Sequence, residues 1–224
     1  MSSFLEGTLL YLEEIINFNV ISIIKKSPRI GSMKNSQLAK FFGGRRVMEF
    51  QFLKIEKNDL EKLIEIEKEA FPLCIQENVE VYKERIKVFP EGTYGIWLDG
   101  EIIAYISSEL WEYQEIYEEE RFSLSHSIDK YHKINGEELY ISSFAVKKKY
   151  SSKGYGKIIF EQFLLKMQED FKIKSSILLV SEEWVKAQRI YLTFGYEQLK
   201  KIKDFFKNDY EEKFDGIIMR KNMK

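Results

Sequence analysis

Gly154 and Gly156 flank a single tyrosine at the head of an apolar helical stretch, behind Lys147, Lys148, Lys149 and Lys153. Glycines remove side chains where backbone must come close to a ligand. A helix that begins there adds unpaired N–H groups and the positive end of its dipole. With this much positive charge, such a turn has the chemistry of a pyrophosphate site, although a basic turn ahead of a helix is often plain solvated surface. The better-known phosphate loops do not fit. A Walker loop requires Gly where Ser151 stands and Ser or Thr where Ile158 stands, and a dinucleotide fingerprint requires Gly where Ile159 stands.

The elements that must position this turn are legible on both sides of it. Leu139, Ile141, Phe144 and Val146, with Tyr140 among them, form a short apolar run bounded by charge, as in a well-covered strand. Lys147 to Lys153 make the turn, and KIIFEQFLLKM continues as a helix. Further on, Ile177 to Val180 reads as a strand, Glu182 to Leu192 as a helix, and Gly195 as a turn into another strand.

Together these segments resemble the two cofactor motifs of the GCN5-related N-acetyltransferases. In that family a strand ending in an Ala-Val-like pair precedes Gln/Arg-x-x-Gly-x-Gly/Ala, which Phe144-Ala145-Val146 and Gly154-Tyr155-Gly156 match. Ser151 departs from the pattern at the Gln/Arg position, leaving Lys147, Lys148, Lys149, Lys153 and Lys157 to supply the charge. The second motif, a helix carrying Ala and then Tyr and ending in Gly-Phe/Tyr, is matched by Ala187, Tyr191, Gly195 and Tyr196, with Trp184 where the family often has Asn. The resemblance implies an α/β fold with a mixed, mostly antiparallel sheet flanked by helices, and acetyl-CoA as cofactor. It places the coenzyme against Phe144, Ala145, Val146, Ser151, Ser152, Lys153, Gly154, Tyr155, Gly156, Lys157, Trp184 and Ala187.

Composition sets the outer limits. The 224 residues are 44% hydrophobic and 15% aromatic, enough for one sizeable core plus an extension. A net charge of −1 with dispersed lysines argues against a nucleic-acid or anionic-membrane partner. Cys74 is the single cysteine, which excludes an internal disulfide and fits a reducing cytoplasm; its setting after Phe71-Pro72-Leu73 reads as a packed hydrophobe. Leu9 to Ile24 is interrupted by Glu13, Glu14, Asn17 and Asn19, so it reads as an amphipathic helix, neither membrane span nor targeting segment. Gly43-Gly44 marks a boundary. Residues 1–47 are expected to be a helical extension that covers the core, pairs with a second subunit in a homodimer or is partly disordered, and residues 48–224 the catalytic domain.

From Met48 onward the expected order begins with a strand from Glu49 to Ile55 and a helix capped by Asn58 or Asp59 that runs to Ala70. A second helix lies within Glu77 to Val88. Asp99-Gly100 then joins the strands Tyr94 to Leu98 and Glu101 to Ser107 in a hairpin. The last strands are expected near Tyr196 to Leu199 and Gly216 to Arg220. The run AFP, the helix ended by Phe89-Pro90, this hairpin and the long insert resemble the arylalkylamine N-acetyltransferase branch over about Met48 to Lys221. Animal members of that branch carry two histidines on the cofactor strand, at places that hold Tyr140 and Ser142 here.

Acetyl transfer to an amine needs a neutral attacker, donors for the developing oxyanion and a proton for the departing thiolate. A tyrosine, with a pKa of about 10, matches a thiolate of about 8.5 closely. Tyr191 stands where the family has its general acid, and the Val146 N–H is the expected oxyanion donor. The pantetheine is expected to pair with backbone at Phe144 to Val146 as an added strand. Glu109 and Tyr140 are the candidate bases, His126 and His132 weaker ones in a polar insert, and ordered water a further alternative. Glu112, Glu115 and Glu119 fall on one side of a helix, with Trp111, Tyr113, Ile116, Tyr117 and Phe122 as an aromatic surface near the acceptor. No histidine or aspartate cluster accompanies these carboxylates, so no metal is expected. The acceptor is read as a small-molecule primary amine or polyamine, with a protein N-terminus or lysine as enzymatic rival and a non-catalytic acyl-CoA binder as the rival class.

Overall fold

The computed structural model describes residues 50–151 and 153–223; the expected extension and Ser152 lie outside the described residues. Seven strands form one sheet: β1 (Gln51–Lys54), β2 (Thr93–Leu98), β3 (Glu101–Trp111), β4 (Glu138–Val146), β5 (Ser175–Ser181), β6 (Glu197–Lys207) and β7 (Lys213–Asn222). Their order across the sheet is β1-β2-β3-β4-β5-β7-β6, and every pairing is antiparallel except β4 with β5. The helices are α1 (Leu60–Ala70), α2 (Val79–Val88), α3 (Ile128–Tyr131), α4 (Lys148–Ser151), α5 (Tyr155–Asp170) and α6 (Val185–Thr193). This is the α/β, mostly antiparallel architecture expected from the sequence. None of the helices described is long and apolar enough to cross a membrane.

Local chemistry accounts for these elements. In α1, Leu60, Leu63 and Ile66 turn inward and pack with Tyr82, Ile102, Tyr105 and Ala145. Asn78 caps α2 by accepting from the Glu80 N–H at 3.0 Å. The β2–β3 hairpin turns through Asp99 and Gly100, both at positive φ (52° and 83°), as an Asp-Gly two-residue loop should. On the opposite face, α5 lays Phe160 and Phe163 against Phe144 and Tyr94.

Two features of β4 position the site. Ser107 pairs with Ser143 but Ser108 with Ile141, so Ser142 is a surplus residue, a β-bulge that turns Tyr140 and Ser143 to the same face. The β4–β5 ladder also ends there. It runs from Glu138–Ser175 to Ile141–Leu178, after which β4 leaves β5 and its outer edge from Ser142 to Val146 carries no strand among the described residues.

Several expectations are corrected. β3 runs on to Trp111, which puts Glu109 inside a strand. β6 extends to Lys207, well past Leu199. The acidic run is not a helix: only Glu119–Phe122 forms a 3-10 turn, so Glu112, Glu115 and Glu119 do not share a helical face. Trp111, Tyr117, Phe122, Tyr131 and Tyr140 instead make a buried cluster, while Tyr113 and Ile116 are exposed. Cys74 is exposed, its thiol donating to the Lys207 carbonyl at 3.1 Å, because Leu73–Ile75 forms a surface 3-10 turn.

Candidate active site

The turn after β4 is built from backbone hydrogen bonds. Lys147 N–H donates to Ile103 O (2.8 Å) and Lys148 N–H to the Glu69 carboxylate (2.7 Å). Successive strand amides point to opposite edges, so with Lys147 facing β3 the Val146 and Phe144 N–H groups face the open edge. Gly154 sits at φ 74°, the left-handed region that favours glycine. Gly156 is different: a Cβ there would meet Val146 Cγ2 at 3.7 Å and the Phe144 ring at 4.0 Å, ordinary contacts. Nothing in the fold requires glycine at 156. The lysines are not equivalent either, because Lys147 and Lys149 are both tied to Glu101 (3.2 and 2.7 Å). Lys153 lies over the Tyr150 and Tyr155 rings and Lys157 over Phe194, with no carboxylate partner among the described residues.

Tyr191 projects from α6 to the same region. Its ring lies 5.1 Å from Phe160, which in turn lies 5.7 Å from Phe144, the residue beside Gly156. Burial pushes its phenol well above the usual tyrosine range, which keeps it protonated at neutral pH but takes it further from a thiolate's value than the sequence-based match of about 10 to about 8.5. Its hydroxyl has no hydrogen-bond partner among the described residues, whereas neighbouring Tyr196 donates to Ser176 Oγ at 2.6 Å. Ala187, half-buried, is one turn earlier on α6.

Where β4 leaves β5, a pocket of about 60 Å³ opens between Tyr140, Ser142, Ser143, Leu179 and the α1–α2 connection. Phe71, Phe122, Trp184 and Phe206 supply aromatic walls, and Glu67 and Glu77 carboxylates. Trp184, expected among coenzyme contacts, stands here between Phe71 (5.5 Å) and Phe206 (5.2 Å). Of the aromatic insert residues, Phe122 reaches the pocket, whereas Trp111 and Tyr117 serve the core.

The candidate bases fare differently. Glu109 is fully buried and outside the pocket lining, accepting from Trp111 Nε1 (3.0 Å) and bonded to His126 Nε2 (2.8 Å), with Arg85 Nε at 3.6 Å. Burial opposes its ionisation, yet His126 and Arg85 outweigh that and hold its carboxyl below the usual glutamate range. It is a carboxylate held by its cationic neighbours and away from the pocket, a poor place for an incoming proton. Tyr140 lines the pocket and stacks on Trp111 at 4.0 Å; burial drives its phenol far up, so it keeps its proton and is no base at neutral pH. His126 and His132 are not solvated: His132 Nδ1 accepts from Leu110 N–H (3.2 Å), and burial lowers its pKa.

Glu67 was not singled out by the sequence. It is 2% exposed, and its Oε2 accepts from Tyr82 (3.1 Å) and from Tyr105, which is itself 2.7 Å from Ser143 Oγ. Burial pushes its carboxyl up to about 7. A signal was available: Leu60, Leu63 and Glu67 fall on one stripe of α1, and a carboxylate in an apolar stripe is out of place.

The profile of the Acetyltransferase (GNAT) family matches residues 60–196, well over half of the chain. The chain belongs to the acetyltransferase (GNAT) family and is an acetyl-CoA-dependent N-acetyltransferase. Similar solved structures include the ribosomal-protein-S18-alanine N-acetyltransferase of Escherichia coli, at 14% identity and TM-score 0.58 over 78% of this chain and 94% of that one. The loading GNATL domain of CurA from Lyngbya majuscula has 14% identity and TM-score 0.65 over 78% and 98%. Arabidopsis thaliana Naa50 in complex with the bisubstrate analogue CoA-Ac-MVNAL has 18% and 0.56 over 78% and 99%. At these identities the likeness concerns the fold. No curated protein sequence matches.

Proposed function

We propose that this enzyme acetylates a small primary amine by direct attack within a ternary complex, with residues 48–224 as its catalytic unit. The observation that carries the reading is the pocket at the β4–β5 divergence, where carboxylates and aromatic faces converge as a cationic head group requires. Its small volume favours a compact amine over a long peptide, and the loose likeness to the arylalkylamine branch points the same way.

The residues fit the coenzyme. Gly156 leaves unused space beside Val146 and Phe144, and the Val146 and Phe144 amides face an edge without a strand. Gly154 to Lys157, with Lys153 and Lys157 as cations free of carboxylates, would hold the diphosphate, and Phe144 to Val146 the pantetheine. Acetyl-CoA supplies the acetyl group as a thioester. With the coenzyme bound, the Val146 N–H would be the oxyanion donor and the Tyr191 hydroxyl the source of the proton for the departing thiolate.

The test is thiol release from acetyl-CoA with 2-phenylethylamine, spermidine and a peptide with a free N-terminus. The reading expects turnover with the compact amine first. Turnover of the peptide alone would overturn it in favour of a protein acceptor.

A further inference from the structure

Resting on the amine-acceptor reading, we propose that Glu67 is the terminal acceptor of the proton that the substrate ammonium must lose, reached through Ser143 and Tyr105. Buried charge is unbalanced at Glu67. Three carboxylates are buried among the described residues: Glu67, Glu109 and Glu138. Glu138 is paired with Arg220 at 2.7 Å, and Glu109 with His126 and Arg85. Glu67 has no cation within ion-pair distance among the described residues, although it lines the pocket. A buried carboxylate without a counter-ion is costly, and a substrate ammonium entering the pocket supplies the missing charge.

Among the described residues, Tyr82 and Arg85 face Glu67 from α2, Glu77 from the connection before α2 and Tyr105 from β3, with Ser143 of β4 one hydroxyl further on. The Glu77 N–H donates to Oε1 at 2.8 Å; the Glu77 carboxylate raises its proton affinity and Arg85, paired with Glu77 at 3.0 Å, lowers it. Ser143 is the pocket-facing end of the chain of hydroxyls because the Ser142 bulge turns it there.

The transfer balances. The ammonium gives a proton to Ser143 Oγ, Ser143 gives its own to Tyr105 Oη, and Tyr105 gives its own to Glu67 Oε2. The serine and the tyrosine end as they began, Glu67 gains one proton, and the amine nitrogen regains the lone pair with which it attacks. Glu109, paired with His126 and Arg85 and outside the pocket lining, takes no part.

The experiment compares 2-phenylethylamine with its β,β-difluoro analogue, which shares its shape but is largely neutral near pH 7.5. Glu67→Gln is expected to lower kcat/KM for 2-phenylethylamine by about 100-fold or more and for the difluoro amine only a few-fold. Acetyl-CoA affinity, read by calorimetry, stays unchanged. Tyr105→Phe removes the hydroxyl bonded to both Ser143 and Glu67 while leaving Tyr82 on Glu67, and is expected to show the same selective loss even if Glu67→Gln fails to fold. Equal losses with both amines, or none, would overturn the proposal. If the wild-type enzyme turns over neither amine, the acceptor reading fails, and the relay with it.

Discussion

A phenol that holds its proton and a carboxylate that takes one stand on opposite sides of β4, and burial raises both. Tyr191→Phe keeps the ring against Phe160 and removes the hydroxyl alone, so kcat is expected to fall about 100-fold with acetyl-CoA affinity unchanged. Steady-state kinetics with calorimetry checks this; an unchanged kcat removes Tyr191 from the mechanism. Glu67 also ties activity and stability to pH. Its folded value of about 7 lies above the 4.5 of a free glutamate, so between these values the native chain holds a proton that the unfolded chain has released. Stability from this group is therefore present in acid, falls as pH rises through that window, and is lower by about 3 kcal/mol above it. Glu67→Gln removes the dependence. Thermal melts are expected to show the variant gaining on the wild type from pH 5 to pH 8, and a constant difference would place the folded value elsewhere.

At the scale of elements, the two glycines separate conformation from ligand space. Gly154→Ala forces a Cβ into φ 74° and is expected to destabilise by about 1 kcal/mol. Gly156→Ala meets only ordinary contacts and improves helix propensity, so its melting temperature holds or rises while acetyl-CoA binding weakens at least about 10-fold. Equal binding by Gly156→Ala would remove the diphosphate from this turn. These glycines, the strand before them and the Asp99-Gly100 hairpin were legible because each is a local pattern with a local cause. The Ser142 bulge was not, since it exists only as a register against β3, and with it went the knowledge that Tyr140 and Ser143 share a face. β6 was read short for a related reason. It is an edge strand paired only with β7, most of its side chains lie in water, and no apolar alternation marks its length. Glu67 escaped because its hydroxyl partners, Tyr82 on α2 and Tyr105 on β3, are far from it in sequence.

Across the whole molecule, the insert is held by charge as well as by aromatic packing. Arg220 on β7 joins Glu138 on β4 (2.7 Å) and donates to the carbonyls of Gln114 (2.6 Å) and Glu115 (3.4 Å), while Tyr117 donates to Glu138. Arg220→Ala leaves Glu138 buried without its cation and is expected to cost about 3–5 kcal/mol in urea unfolding. A loss within 1 kcal/mol would show that the aromatic cluster holds the insert alone. Phe122, Ser123 and Leu124 of the insert line the pocket together with Glu67. The account as a whole turns on two substrates meeting across β4 at once. Initial rates over a grid of acetyl-CoA and 2-phenylethylamine concentrations test it most directly: intersecting double-reciprocal lines are predicted, and parallel lines, the mark of an acetylated enzyme, would contradict it.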